Sequence, residues 1–298
     1  MRRWSFTKGH GTENDFVLIL DRESMLDVGP AEVRFICDRR AGVGADGLLR
    51  AVLAKHVDGW DGDGALWFMD YRNADGSIAK MCGNGIRVFV RYLLDQDLVH
   101  GPVVQVATRS GLKVTRALPD GRVRVNMGPV VVGSRSVLVT TADGADFKAF
   151  TADVGNPHAV SFADNLDLLP LYLPPRWDPA EEFPEGVNLE FVRQCGPQHI
   201  AMRVFERGVG ETMSCGTGTV AAAAVARVQR QDLTPLPVTY RVDVPGGSVD
   251  VELTEHEAYL TGPAVLVAHG ELSLPDRAVL ETQTRPAAES VAPGRASH

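Results

Sequence analysis

Two short stretches constrain this chain more than anything else in it: "MCGNGIRVFVRYL" at residues 81–93 and "SCGTGTVAAAAVARV" at residues 214–228. Each sets a cysteine and two glycines directly before a run that reads as helix. Aligned on C-G-x-G, "YRNADGSIAKMCGNG" falls against "VFERGVGETMSCGTG", with Asn73 and Glu206 each nine residues before the cysteine. Upstream, "GTENDFV" resembles "DVGNPHAV", which pairs Asn14 with Asn156. The chain therefore reads as two copies of one unit, each delivering a cysteine to the start of a helix.

Length agrees, since 298 residues suit two domains of about 150 each. At 44% hydrophobic and 23% charged, the composition is that of an ordinary globular protein. A net charge of −8 argues against a basic surface for nucleic acid or anionic membrane, so small molecules are the expected partners. "MRRWSFTKGHGTEND" lacks the apolar core of a secretory signal, and nothing approaches the ~20 apolar residues of a membrane span. The expected location is the cytoplasm, with Cys37, Cys82, Cys195 and Cys215 reduced. No C-x-x-C pair supports a metal site, and "DGWDGDG" at 58–64 lacks the ligand spacing of a calcium loop.

Along the chain, "DFVLIL" reads as a strand and Pro30 opens a short helix. "VVQVATRSGLKVTRAL", "GRVRVNMGPVVVG" and "VTYRVDVPGGSVDVEL" alternate as antiparallel strands do. Residues 163–187 read as a long loop. The expected class is α+β: two topologically similar domains, each an antiparallel sheet wrapped around a central helix, with the active site in the cleft between them. Domain boundaries fall at 1–125, completed by about 262–274, and at 126–261. The small, polar segment 275–298 is expected to be a disordered tail.

Free N–H groups and the positive dipole end at a helix start favour an anion, and they depress the pKa of a thiol placed among them. A thiolate near neutral pH is the expectation. The glycines at 83, 85, 216 and 218 would let a carboxylate approach the backbone without a Cβ in the way. Two such units face to face would hold one small acid between two thiols. "TVAAAAVARV" is apolar nearly all round, and "IRVFVRYLL" carries only Arg87 and Arg91 as a polar stripe, so both helices are expected to be wrapped by strands. Cys37 and Cys195, which lack a partner motif, read as small packed hydrophobes.

These residues carry a resemblance to the diaminopimelate epimerase family, within the cofactor-independent amino-acid epimerases. It spans about residues 5–273 and rests on "KGHGTENDFV", "NADGSIAKMCGNGIR", "GNPHAV", "GVNLEFV" and "ERGVGETMSCGTG" in that order. The resemblance implies interconversion of LL- and meso-diaminopimelate in lysine and peptidoglycan precursor synthesis, by a homodimer without pyridoxal phosphate or metal. Cys82 and Cys215 match the two catalytic cysteines, with Cys82 serving the L centre. Asn14, Asn73, Asn156, Asn188, Glu206 and Arg207 match substrate-binding positions. Gly83, Asn84, Gly216 and Thr217 match the carboxylate cradle, and His158 a histidine beside the site. Many relatives carry Gln where this chain has Gly47.

The nearest alternative is a related two-cysteine racemase for another amino acid. "GVGADG" at 42–47 fits G-x-G-x-x-G, but a helix-like segment precedes it where a dinucleotide site needs a strand. A hydrolase using Cys215 with His158 leaves Cys82 unexplained, and a pure binding module needs the cleft without both thiols.

Overall fold

The computed structural model describes residues 2–283. The first half runs β1 (Arg2–Gly11), β2 (Asn14–Leu20), α1 (Pro30–Cys37), β3 (Gly47–Leu53), β4 (Trp67–Asn73), α2 (Gly83–Asp95), β5 (Val103–Thr108), β6 (Gly111–Ala117) and β7 (Val123–Gly128). The second runs β8 (Val131–Thr140), β9 (Asp146–Asp153), β10 (Pro157–Phe162), β11 (Arg176–Asp178), β12 (Asn188–Gly196), β13 (His199–Glu206), β14 (Gly210–Thr212), α3 (Gly216–Gln229), β15 (Val238–Val244), β16 (Gly247–Leu253) and β17 (Ala258–Gly262). The chain closes with β18 (Val265–Leu274) and α4 (Arg277–Gln283).

Strand pairing repeats between the halves. The first is ordered β18-β1-β2-β3-β4-β5-β6-β7. The second is ordered β8-β9-β10-β12-β13-β15-β16-β17. In both, the third junction (β2–β3, β10–β12) and the fifth (β4–β5, β13–β15) are parallel, and the others antiparallel. This corrects the antiparallel expectation to a mixed sheet. The reason lies in the connections: β4 reaches β5, and β13 reaches β15, through a helix, and such a crossover returns the chain in the same direction. β7 pairs with β17 and joins the halves, while β18 crosses back to pair with β1.

Each half encloses its helix. Ile86, Val88, Phe89, Val90 and Leu93 of α2 pack on Phe16, Leu18, Leu49, Met69 and Val106, and α3 buries every residue from Val220 to Ala226. The alanines of α3 let strands come close on all sides. Arg91 is exposed as expected, but Arg87 is fully buried. Its guanidinium donates to the Gly83 and Pro263 carbonyls at 3.3 and 3.2 Å and to the Thr12 hydroxyl at 3.1 Å. Cys37, the last residue of α1, is buried against the first sheet, whereas Cys195 is exposed, because the register shift between Gln194 and Gly196 ends the inward alternation of β12.

Outside the sheets, α1 and α4 cover the first half with Val33, Ile36 and Leu280 against Val17, Ile19 and Leu274. Segment 163–187, expected as a loop, contributes β11 to the edge of β8 and otherwise covers the second half through Leu166, Leu169, Leu171 and Phe183. The expectation of disorder from residue 275 is therefore corrected over 277–283; residues 284–298 lie outside the described part. Arg277 donates to both oxygens of the buried Glu32 at 2.9 and 2.8 Å, and Arg2 adds a third bond at 2.8 Å. Against the upward push of burial, these guanidiniums hold the Glu32 carboxyl down at about 2. Ending the chain at Asp276 removes Leu280 and one of the two guanidiniums that pair with Glu32, and should lower unfolding free energy by about 2–5 kcal/mol. Urea denaturation of the truncated and full chains measures it, and equal midpoints would contradict the docking role of α4.

Candidate active site

Cys82 and Cys215 are the residues immediately before α2 and α3, each in extended conformation with helical backbone beginning at the following glycine. The two helix starts abut. A Cβ on Gly83 would lie 3.1 Å from the Gly216 Cα, and one on Gly216 would lie 2.8 Å from the Gly83 Cα. Only glycine permits this approach, so here the glycines set the distance between halves as well as opening the backbone.

Around Cys82, the Gly85 N–H donates to the sulfur at 3.3 Å, and the thiol faces Asn14 Oδ1 at 3.6 Å. Asn14 is aimed by its own Nδ2, which donates to Asp46 at 2.8 Å. Asn84, also buried, donates to Asn14 Oδ1 at 3.2 Å and across the seam to the Ser214 carbonyl at 2.8 Å. Its Oδ1 has no partner among the described residues, leaving a buried acceptor. Thr12, beside Asn14 in the β1–β2 turn, holds φ of 51° and meets the Ser214 hydroxyl at 2.8 Å. A β-branched residue there is strained, and contacts from both halves hold it.

Around Cys215, the sulfur lies 3.5 Å from the Thr217 hydroxyl, which accepts from Asn156 Nδ2 at 3.4 Å. Asn156 Oδ1 is 3.1 Å from His158 Nε2, and His158 Nδ1 is 2.7 Å from Glu190. His158 and Glu190 are both fully buried. Glu206 ends β13 as Asn73 ends β4, and accepts from Thr212. Asn188 receives the Arg207 N–H at 2.9 Å. The Arg207 side chain lies out at the rim, donating to the Glu185 carbonyl at 3.4 Å rather than pairing with Glu206. Asn73 turns to Ser77 at 3.0 Å and makes no described bond to either cysteine.

The thiolate expectation is overturned in the protein as it stands. Burial raises the Cys82 thiol to about 11, against the lowering effect of the Gly85 N–H, with the Glu206 charge adding to the rise. Cys215 is pushed well above the ordinary thiol range by burial, then by the charges of Glu206 and Glu190. Burial also raises the Glu206 carboxyl, against its bond from Thr212. Loss of hydration outweighs the helix start.

Residues that motif matching did not single out are Thr12, Asp46, Tyr71, Glu190 and Ser214. For Glu190 a signal existed: it stands two residues after Asn188 in a strand, hence on the same face. Tyr71 explains Gly47, where a Cβ would meet the Tyr71 ring and the Arg72 carbonyl, both at 2.7 Å. The tyrosine fills space that a longer side chain at 47 would need. "GVGADG" runs from α1 into β3, the reverse of a strand–loop–helix nucleotide site. Among the described residues no cluster of three or more His, Cys, Asp or Glu side chains could hold a metal, and no helix is long and apolar enough to cross a membrane.

A family profile decides the relationship: that of diaminopimelate epimerase matches residues 6–133 and again 150–267, once in each half. The chain belongs to the diaminopimelate epimerase family. It is 50% identical to the diaminopimelate epimerase of Streptomyces coelicolor over 278 residues, covering 90% of this chain and 95% of that one. The Thermobifida fusca enzyme of the same name is 47% identical, at 90% and 98% coverage. Among solved structures, a probable proline racemase from Agrobacterium radiobacter superposes with a TM-score of 0.69 at 16% identity, covering 93% of this chain and 95% of that one. A hydroxyproline epimerase from Agrobacterium vitis gives 0.66 at 15%, with 93% and 94% covered. These two share the fold.

Two outcomes follow from the geometry. Gly216→Ala should fold, since Ala favours a helix, yet force the helix starts apart and lower turnover by about 10²-fold or more; wild-type turnover would contradict the contact. Alkylation of Cys82 in unliganded protein, followed by peptide mass spectrometry, should keep rising about tenfold per pH unit through about pH 9.5, where an exposed thiol levels off.

Proposed function

We propose that this isomerase inverts one α-carbon of diaminopimelate, interconverting the LL and meso forms, with one of Cys82 and Cys215 removing the Cα proton as thiolate and the other delivering a proton to the opposite face as thiol. The observation that carries the reading is the face-to-face pair of cysteine-led helix starts. Inversion requires a proton to leave one face of the carbon and another to arrive on the opposite face, and one thiolate with one thiol meets that need. Gly83, Asn84, Gly216 and Thr217 offer backbone N–H groups to the α-carboxylate, where negative charge develops as the proton leaves. The buried, unpartnered Asn84 Oδ1 suits the α-ammonium. That ammonium, arriving between the sulfurs, supplies the positive charge that favours thiolate against burial.

At the far end, Arg207 at the rim can take a second carboxylate through paired N–H donors, while Glu206, beside the sulfurs, can accept from a substrate ammonium. Asn14, Asn73, Asn156 and Asn188 line the remainder, with Asn73 released from Ser77 to do so. His158 stands behind Asn156. A short amino acid would leave these groups unpaired, which favours diaminopimelate over the substrate of a simple racemase. We take the two eight-stranded halves as the domains, and infer a cytoplasmic homodimer from the family relationship, with diaminopimelate as the only partner besides a second copy.

The test is proton NMR of LL-diaminopimelate with the protein in D₂O, which reports Cα exchange and inversion together. Cys82→Ala and Cys215→Ala should each lose about 10²–10⁴-fold or more in inversion while remaining folded. Arg207→Ala should lose diaminopimelate turnover without gaining activity on alanine or proline. Near wild-type inversion by either cysteine variant would refute the two-base reading, and equal wild-type rates on proline would favour a racemase.

A further inference from the structure

We propose that Glu190 is a positioning residue for the proton: its buried carboxylate stands behind Cys215 and keeps that sulfur a thiol, leaving Cys82 to act as base toward the LL substrate. The inference rests on the two-cysteine reading above and adds what makes the two sulfurs unequal.

Three observations meet at Glu190. First, it is fully buried on β12, and its Oε1 lies 2.7 Å from His158 Nδ1. From there polar contacts run without a break through Asn156 and Thr217 to the Cys215 sulfur. Second, a direct path is shorter still. The point that a Cβ on Gly218 would occupy is 2.6 Å from Glu190 Oε1 and 3.4 Å from the Cys215 sulfur. Carboxylate and sulfur are thus no more than about 6 Å apart, a range at which a charge acts strongly in a site shielded from water. A side chain at 218 would collide with the carboxylate. Third, Glu190 Oε2 has no hydrogen-bond partner among the described residues. A buried carboxylate oxygen without a partner is costly, and the fold gains nothing visible from it.

The titratable groups facing Cys215 come from three of the strands around it, His158 on β10, Glu190 on β12 and Glu206 on β13, and from Cys82 at the opposing helix start. Glu206 cannot make the sulfurs unequal by sign, because its charge opposes ionisation of both. Each thiol meets a backbone N–H of its own helix start, Gly85 for Cys82 and Gly218 for Cys215, whereas Glu190 is prominent only at Cys215. The local helix starts are alike; the acid two residues after Asn188 breaks their symmetry.

Glu190→Gln keeps shape and burial but removes the charge. In the LL-to-meso direction the alkaline limb of kcat/KM reports loss of the Cys215 proton, and it should move down by about one to two pH units. KM at the optimum should change by less than about threefold, since Glu190 touches no substrate. Glu190→Asp, which retains the charge, should leave the limb within about half a unit of wild type. A folded Glu190→Gln protein with the wild-type profile, or an Asp variant shifted as far as the Gln variant, overturns the proposal. Should Glu190→Gln not fold, wild type labelled with ¹³C at cysteine Cβ decides: Cys82 must ionise before Cys215 in unliganded enzyme, and the reverse order overturns the proposal. If wild type fails to exchange the Cα hydrogen of LL-diaminopimelate in D₂O, the functional reading itself falls, whereas exchange with the wrong ionisation order removes only the role of Glu190.

Discussion

Everything at the centre of this molecule depends on a contact between two backbones, Gly83 against Gly216. Two helices point their N-terminal ends at each other with no side chain between them. Each end carries roughly half a positive charge, so the arrangement is electrostatically unfavourable by itself and becomes favourable when an anion lies between them. The clamps that hold the ends together come from both halves: Asn84 to the Ser214 carbonyl, and Arg87 to Thr12, which in turn meets Ser214. The site is preorganised for a carboxylate before one arrives.

Burial explains why the same arrangement does not ionise its thiols. A cysteine at a helix start in water would gain from nearby N–H groups, but here the strands that wrap α2 and α3 also remove water from the sulfurs. One hydrogen bond from Gly85 does not offset that loss, so Cys82 remains protonated up to about 11. On the two-cysteine reading proposed above, thiolate chemistry then requires a cation, and the ammonium of an amino-acid substrate is one. The chemistry is in this sense conditional on the substrate being a zwitterion.

Much of this was legible in the sequence because the repeat is written in residues with few alternatives. Cysteine, glycine and a polar strand end nine residues earlier fixed the correspondence of Asn73 with Glu206, the upstream "GTENDFV" and "DVGNPHAV" that of Asn14 with Asn156, and the matching strand orders of the two halves agree. Other features depended on information that local patterning lacks. Alternation identifies a strand but not its neighbour's direction, so the parallel pairs at β2–β3 and β4–β5 went unread. Arg87 looked like a solvated stripe because spacing does not reveal that three backbone and hydroxyl oxygens await it. The thiol pKa values followed from wrapping by remote strands, and α4 from a salt bridge to Glu32 far away in sequence.

The exchange of the last strand has a consequence for how the chain is made. Arg2 pairs with Leu274, so β1 lacks its outer neighbour until nearly the whole polypeptide exists. The second half has no such debt, because its outer strand β8 immediately follows β7 and precedes β9. On a ribosome the N-terminal half emerges first yet closes last, with an unpaired edge on β1 during synthesis of everything between. The order of completion thus runs opposite to the order of translation, and the helix start bearing Cys82 gets its full wall only after the one bearing Cys215.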